Sequence, residues 1–126
     1  MKLNNKPSFS ANFLNTTSLK NVVDYAVQNN RFEKLNKARK RIEAQDLFIK
    51  IEINCGYDKE KHQSFFELVR YRPKYEIRSN EVIKTFSRKV TRRYYNEQNP
   101  LKLAYDKIIK MSNDAPNNKL YKEMIK

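Results

Sequence analysis

Glycine is almost absent from this sequence. Gly56 is the single glycine among 126 residues, and glycine is the residue that most readily adopts the positive φ angles of tight β-turns. The sequence therefore predicts against an all-β fold. The same scarcity excludes the glycine-rich phosphate loops of P-loop proteins and dinucleotide-binding domains, which need several glycines at fixed spacings.

Cysteine and histidine are equally scarce. Cys55 is the only cysteine and His62 is the only histidine. No intramolecular disulfide can therefore form, and the usual zinc clusters of Cys and His ligands are excluded. A lone histidine also argues against a two-histidine metal nuclease or relaxase, so the adjacent Tyr94 and Tyr95 are not expected to act as DNA-joining nucleophiles. We predict a non-enzymatic protein without metal or cofactor. A small metal-free ribonuclease that acts through Arg, Lys, Tyr and Glu remains an alternative.

Long hydrophobic runs are missing as well. No segment approaches the roughly 20 apolar residues that span a bilayer. The N-terminal residues contain no continuous apolar core of the kind found in signal peptides, and small secreted proteins usually carry several cysteines. We expect a cytoplasmic protein that does not act at a membrane.

Positive charge is what the sequence has in excess. It contains 27 Lys and Arg against 14 Asp and Glu, which gives a formal net charge of +13 and a pI of about 9.9. A surface of this sign attracts phosphate polyanions. Eight Tyr and seven Phe distinguish the chain from disordered basic tails, which are poor in aromatic residues. The charge is therefore expected on a folded domain.

Helical periodicity is the commonest pattern along the chain. Apolar residues at spacings of three and four, preceded by capping residues, predict helices over 18–29, 31–45, 58–71, 80–96, 100–112 and 119–126. The expected caps are Thr17 or Ser18, Asp58, Ser79 and Asn99.

Two short segments indicate extended structure. Ile49, Ile51 and Ile53 alternate with polar residues, which favours a strand over 47–54. The second helix could instead run on through this segment, because its apolar stripe continues at a seven-residue spacing to Ile49. A second extended piece is predicted at 74–78.

These elements predict a mainly α fold of four to six short helices with a minor β element, in a helix-turn-helix-like or winged-helix-like arrangement. Residues 1–16 are expected to form a flexible N-terminal arm. Residues 17–126 are expected to form a single basic helical domain.

Basic residues concentrate in two clusters. The first lies on the predicted second helix and includes Lys37, Arg39, Lys40 and Arg41. The second contributes Arg70, Arg72, Lys74, Arg78, Lys84, Arg88, Lys89, Arg92, Arg93 and Tyr95. Arg offers forked donors for phosphate oxygens or a guanine edge, Lys supplies a point charge, and Tyr adds a hydroxyl. These residues are the candidate nucleic-acid contacts.

The predicted helix over 80–96 combines the basic cluster with an apolar face. Ile83, Phe86, Val90 and Tyr94 would share one side of the helix and face the core. Lys84, Arg88, Arg92 and Tyr95 would form a separate stripe. A helix of this kind can lie in a major groove or along a phosphate backbone.

The function that these observations favour is a DNA-binding regulator or accessory factor. The abundance of Asn, Lys, Ile and Tyr is typical of AT-rich coding genomes, which points to a phage, plasmid or other mobile element. One alternative is an interaction module or inhibitor that docks on an acidic protein or ribonucleoprotein surface, and another is an RNA-binding protein. A homodimer would suit a DNA-binding protein, because operators often share its two-fold symmetry.

Overall fold

The computed structural model describes residues 12–45 and 50–114, which form three helices and one four-stranded mixed sheet. In chain order the elements are β1 (Asn12–Phe13), α1 (Thr17–Gln28), α2 (Phe32–Gln45), β2 (Lys50–Asp58), β3 (Gln63–Arg78), β4 (Glu81–Tyr95) and α3 (Pro100–Asp114). The strands lie side by side in sequence order. β1 pairs parallel with β2, whereas β2, β3 and β4 pair antiparallel.

The helices begin and end at residues with clear capping roles. Thr16 caps α1, because its Oγ1 accepts a hydrogen bond from Leu19 N at 3.1 Å. Asn29 follows α1 as its C-cap. At α3, Asn99 Oδ1 accepts from Leu101 N at 3.0 Å, and Pro100 occupies the first helical position, where its missing N–H costs nothing.

All three helices pack on the same side of the sheet and form one hydrophobic core. The strands contribute Ile51, Ile53, Phe66 and Leu68. The helices contribute Leu19, Val22, Ala26, Leu35, Ala38, Ile42, Leu103, Ala104, Tyr105, Ile108 and Met111. We call this side of the sheet the helix side and the opposite side the open side. Because successive residues of a strand point to opposite sides, the register decides which side chains remain on the open side.

The expectation of a mainly α fold is wrong. The predicted third helix, 58–71, is largely the first part of β3. Ser64, Phe66 and Leu68 are buried, while the side chains between them are half-buried, which is a period of two rather than 3.6. Asp58, expected to cap a helix, instead accepts hydrogen bonds in the turn after β2, from Glu60 N at 2.9 Å and Lys61 N at 3.0 Å.

The predicted fourth helix, 80–96, is also a strand, β4. Its apolar residues are mostly β-branched or aromatic, which suits a pleated surface, and it pairs with β3 along its whole length. The helical spacing of Ile83, Phe86, Val90 and Tyr94 is coincidental, because none of them is buried. A helix-turn-helix arrangement is therefore excluded, since neither of its two helices forms.

The prediction against an all-β fold is confirmed, since three helices accompany the sheet, but the turns of the described residues form without a glycine at positive φ. The positive φ angles in the described residues belong to Asn30, His62, Ser79 and Asn80, at 55°, 52°, 51° and 65°. Asn and His tolerate this region far better than most side chains. Ser79 and Asn80 form the two-residue turn between β3 and β4, where both central residues need positive φ.

The remaining local predictions are confirmed where the structure describes them. The helices predicted over 18–29, 31–45 and 100–112 match α1, α2 and α3, although Thr16 rather than Thr17 or Ser18 caps the first. The favoured strand at 47–54 is confirmed from residue 50 onward, and 74–78 is extended within β3. Residues 46–49 and the helix predicted at 119–126 lie outside the described residues. From the predicted arm, Phe13 pairs in β1 and is buried.

Substitutions of two phenylalanines test the cross-strand register of β3 and β4. Phe66 is fully buried and Phe86 is 46% exposed, whereas a helix over 80–96 would bury Phe86. Replacing Phe66 with Ala should lower the free energy of unfolding by about 3–5 kcal/mol. Phe86→Ala should lower it by about 1 kcal/mol or less, because the change lies on the surface. Urea unfolding monitored by circular dichroism measures both, and equal losses would contradict the register.

Candidate nucleic-acid interface

β3 and β4 extend beyond the rest of the sheet. Their pairing continues to Arg78 and Glu81, whereas β2 pairs with β3 only between residues 63 and 71. Among the described residues, 72–78 and 81–87 therefore pair only with each other. At about 3.3 Å per residue they form a two-stranded arm roughly 20 Å long, which we call the ribbon.

The helix side of the ribbon and its root carries most of the second basic cluster. Side chains that pair directly across an antiparallel ladder share one side of the sheet. The side that continues from Phe66 and Leu68 therefore presents Arg70, Arg72, Lys74, Arg78 and Lys89, with the hydroxyls of Thr85 and Ser87 among them. We call this surface the cationic face.

A hollow lies at the root of the cationic face. It has a volume of about 300 Å³ and is lined by Arg70, Arg72, Ser87 and Lys89. Arg70 stands directly opposite Lys89 in the ladder, and Arg72 opposite Ser87. Three cations and a hydroxyl suit a phosphate group.

Ion pairs occupy part of the outer cationic face. Glu76 contacts Lys74 Nζ at 3.4 Å and Arg78 Nη2 at 2.7 Å. Both cations are more than 60% exposed, and exposed pairs of this kind contribute about 0–1 kcal/mol. A phosphate can therefore compete with Glu76 for either cation at small cost.

The open side carries a hydrogen-bonded network. Asn54 Nδ2 donates to Glu52 Oε2 and to Glu67 Oε2, both at 2.8 Å. Arg92 Nε donates to Glu67 Oε1 at 3.1 Å, and Tyr71 Oη donates to Glu52 Oε1 at 3.0 Å. Two carboxylates thus lie in the middle of this surface, which makes it less attractive to phosphate than the cationic face.

Arg88 lies at the end of this network. Its Nε donates to Tyr71 Oη at 3.4 Å, and this hydrogen bond raises the pKa of Arg88 above its ordinary value. The guanidinium group is exposed and stays charged. It can meet a phosphate that reaches the open side of the ribbon root.

The stripe predicted on a helix over 80–96 is divided between the two sides of the sheet. Lys84, Arg88 and Arg92 follow one another at intervals of four positions along β4. Their side chains therefore all point to the open side. Tyr95 points to the helix side and packs against the core, with Lys107 Nζ 4.0 Å from its ring centroid. Arg93 is half-buried on that side, so neither it nor Tyr95 belongs to the exposed cationic face.

The first basic cluster lies in the helical layer. α2 packs mainly against α3, α1 and β1. Lys37, Lys40 and Arg41 are exposed, whereas Arg39 is half-buried with its guanidinium carbon 5.6 Å from the centroid of the Phe13 ring. The structure therefore does not place this cluster on the ribbon.

The prediction from sequence did not identify two parts of this surface. Ser87 and Thr85 were not candidates, although alternation in a strand would have placed them beside Arg72 and Lys74. Phe86 was expected in the core but is exposed on the ribbon. The pair Ser79–Asn80 could have indicated the hairpin in the sequence. It lies between two segments in which residues that favour strands alternate with polar residues, and this pattern is typical of a hairpin.

The lone thiol lies apart from the cationic face, in β2. Cys55 is half-buried against the core, and burial raises the pKa of the thiol more than the Ser18 hydroxyl lowers it. In the described part of the chain no three Cys, His, Asp or Glu side chains are placed to hold a metal. Nor is any helix there long and apolar enough to cross a membrane.

Comparison with known proteins found no similarity: no family model, no curated protein and no solved structure matches this chain. The candidate surface is therefore defined by its own geometry and charge alone.

The hollow should bind a small polyvalent anion. Because an anion that binds only the folded state stabilises it, we expect pyrophosphate to raise the melting temperature at constant ionic strength. The double change Arg72→Gln and Lys89→Gln should remove most of this increase, since it deletes two of the three lining cations. Differential scanning calorimetry checks this, and an unchanged increase in the variant would place the anion elsewhere.

Cys55 should react slowly in the folded protein. Its raised pKa lowers the fraction of thiolate, the form that attacks an alkylating reagent. At mildly alkaline pH we expect iodoacetamide to modify the native protein at least about fivefold more slowly than the urea-unfolded chain. Mass spectrometry of timed samples gives both rates, and equal rates would show that the thiol is accessible and reactive.

Proposed function

We propose that this protein binds nucleic acid through the ribbon, with duplex DNA as the favoured ligand, and that it acts as a non-enzymatic regulator or accessory factor. The observation that carries the proposal is the hollow of Arg70, Arg72, Ser87 and Lys89 at the ribbon root. It supplies forked and point-charge donors together with a hydroxyl, as phosphate recognition needs.

The charge of the ribbon and its root supports the proposal. Residues 70–89 contain seven Lys and Arg and two Glu, a net charge of +5. The cations occupy both sides, because Lys84 and Arg88 lie on the open side while the cationic face lies on the helix side. A ribbon placed in a groove can therefore neutralise phosphates on both walls.

The shape of the ribbon favours a duplex. Two paired strands lie about 4.8 Å apart, and the major groove of B-DNA, about 12 Å wide, admits a two-stranded ribbon with its side chains. Contacts from Arg and Lys to phosphates would position the protein. The hydroxyl of Thr85, which lies outside the hollow, would be available to base edges.

A single-stranded ligand is the second candidate, because two exposed aromatic side chains, Tyr75 and Phe86, lie on the open side of the ribbon. Phe86 is 46% exposed, and its ring centroid lies 5.0 Å from Lys50 Nζ and 5.4 Å from Lys84 Nζ. Exposed aromatic rings beside cations stack on unpaired bases of RNA or DNA. The duplex is preferred because most of the cations lie on the other side of the ribbon from Phe86.

Salt dependence tests the proposed function. Affinity for a duplex of about 20 base pairs should fall steeply with rising NaCl, with a log–log slope of about −0.9 for each neutralised phosphate. Arg72→Gln with Lys89→Gln should weaken binding and make the slope less steep by about 2. Fluorescence anisotropy over a series of salt concentrations measures both quantities.

The matched control is Lys20→Gln with Lys110→Gln. It removes the same net charge from exposed positions on α1 and α3 and should change the slope little. Equal effects of the two double variants would show that net charge, not the ribbon, causes binding. The separated strands and an RNA of the same sequence compete in the same assay, and tighter binding to either would favour the second candidate. Cleavage of the RNA would establish a ribonuclease instead.

A further inference from the structure

We propose that the outer edge of β4 binds an extended, acidic segment of a partner protein, which joins the sheet as an additional strand. The edge over 82–90 offers a row of backbone donors and acceptors, and its side chains add apolar and cationic contacts. This binding site is separate from the proposed function, because the row recognises another polypeptide backbone rather than a nucleic acid.

The sheet has two outer edges, and the described residues cover one of them. On the β2 edge, Thr16 Oγ1 donates to Ile53 O at 3.0 Å, and Cys55 N donates to Ser18 Oγ at 3.2 Å. β4 forms the other edge. In the described part of the chain, no backbone or side-chain group hydrogen-bonds to the outward backbone groups of 82–90. The β4 edge is therefore open to a further strand.

The register shows which residues of β4 point their backbone groups outward. Opposite residues of an antiparallel ladder turn their N–H and C=O groups alternately toward each other and away. Ile53 turns its carbonyl group away from β3, so its partner Leu68 faces β4 and Thr91 in turn faces β3. By alternation, the residues of β4 whose backbone groups face outward are Val82, Lys84, Phe86, Arg88 and Val90.

A row of this kind suits another polypeptide backbone. Donors and acceptors alternate along it at the spacing of a β-strand, and an added strand pairs with both. A phosphodiester backbone offers acceptors only, so it would leave the outward carbonyl groups unpaired. Every residue over 84–90 is exposed, so a strand has access to this part of the edge.

The open side gives the added strand its side-chain pattern. The exposed apolar side chains of the open side are Tyr75, Ile77, Val82, Phe86 and Val90. Along β4 they alternate with Lys84 and Arg88. Because cross-strand neighbours share one side of a sheet, a complementary strand carries apolar residues beside the apolar ones and Asp or Glu beside the two cations.

Charge favours an acidic partner over a second copy of this chain. β4 contains five Lys and Arg and one Glu, a net charge of +4, so two copies of β4 placed side by side would repel each other. Glu76 and Glu81, near the tip, belong to the helix side. The open side of β4 over 82–90 thus carries two cations and no acid, and acidic side chains opposite them attract.

The test uses the full chain and a capped synthetic peptide, Val-Thr-Glu-Thr-Tyr-Thr-Glu-Thr-Val. Its glutamates lie opposite Lys84 and Arg88 when its tyrosine lies opposite Phe86. We expect the labelled peptide to bind in a fluorescence anisotropy titration. Replacement of both glutamates by lysine should weaken binding at least about tenfold, because attraction becomes repulsion.

Methylation of the peptide backbone separates strand addition from simple charge attraction. N-methylation of both glutamates removes N–H groups that would donate to β4 and should weaken binding at least about tenfold. N-methylation of the two threonines beside the tyrosine is the matched control. Their N–H groups face away from β4, so binding should change by less than about twofold.

Amide hydrogen exchange, followed by NMR, locates the peptide on the protein. The N–H groups of Lys84, Phe86 and Arg88 should exchange at least about tenfold more slowly in the complex, because they become hydrogen-bonded. The N–H groups of Thr85 and Ser87 already face β3 and should change little.

A pair of protein variants tests the role of the cations. Lys84→Gln with Arg88→Gln should weaken peptide binding at least about fivefold. Lys20→Gln with Lys110→Gln removes the same net charge from α1 and α3 and should leave peptide binding nearly unchanged.

Four results would overturn the acidic partner: absence of peptide binding, unchanged exchange at Lys84, Phe86 and Arg88, equal effects of the two methylated peptides, or equal effects of the two protein variants. A dimer of the free protein in sedimentation, with the same three amides already protected, would place a second copy on the edge instead. None of these results bears on duplex binding, which is measured separately with DNA, so the proposed function stands or falls by its own test.

Discussion

The antiparallel pairing of β3 with β4 is the interaction on which the rest of the structure depends. It joins fifteen residue pairs, and only its first half lies on the core. Phe66 and Leu68, 0% and 1% exposed, fix that half against the helices. The side chains of a strand point alternately to the two sides of the sheet. A shift of the cross-strand register by one residue would therefore move every side chain of the shifted strand to the opposite side. Burial at the root therefore sets the position of Arg72 and Ile77 on the ribbon.

The outer half of the same pairing has no core of its own. An isolated two-stranded hairpin is marginal in water. The ribbon is stable because its strands continue into the sheet, where Glu67 and Glu52 also hold Arg92 and Tyr71 by hydrogen bonds. Cationic side chains of the ribbon are thereby held at exposed positions.

The hollow lies on one side of the ribbon, and its most exposed apolar side chains lie on the other. Arg72 and Ile77 are five residues apart, an odd number, so they point to opposite sides. The distance between them along the strand is about 17 Å, which corresponds to about five base-pair steps of 3.4 Å each. In the proposed complex the root of the ribbon binds phosphates.

The sequence by itself determined the charge, the scarcity of catalytic groups, the three helices and the β-character of residues 50–54, because these follow from composition, capping residues and short-range periodicity. It did not determine the state of residues 58–96. There the spacing of Ile83, Phe86 and Val90 fits a helix as well as a strand, and the choice depends on pairing with residues far away in the chain. Only the tertiary structure decided that Arg70, Arg72 and Lys89 share one surface with Ser87, because cross-strand register, not sequence distance, brings them together.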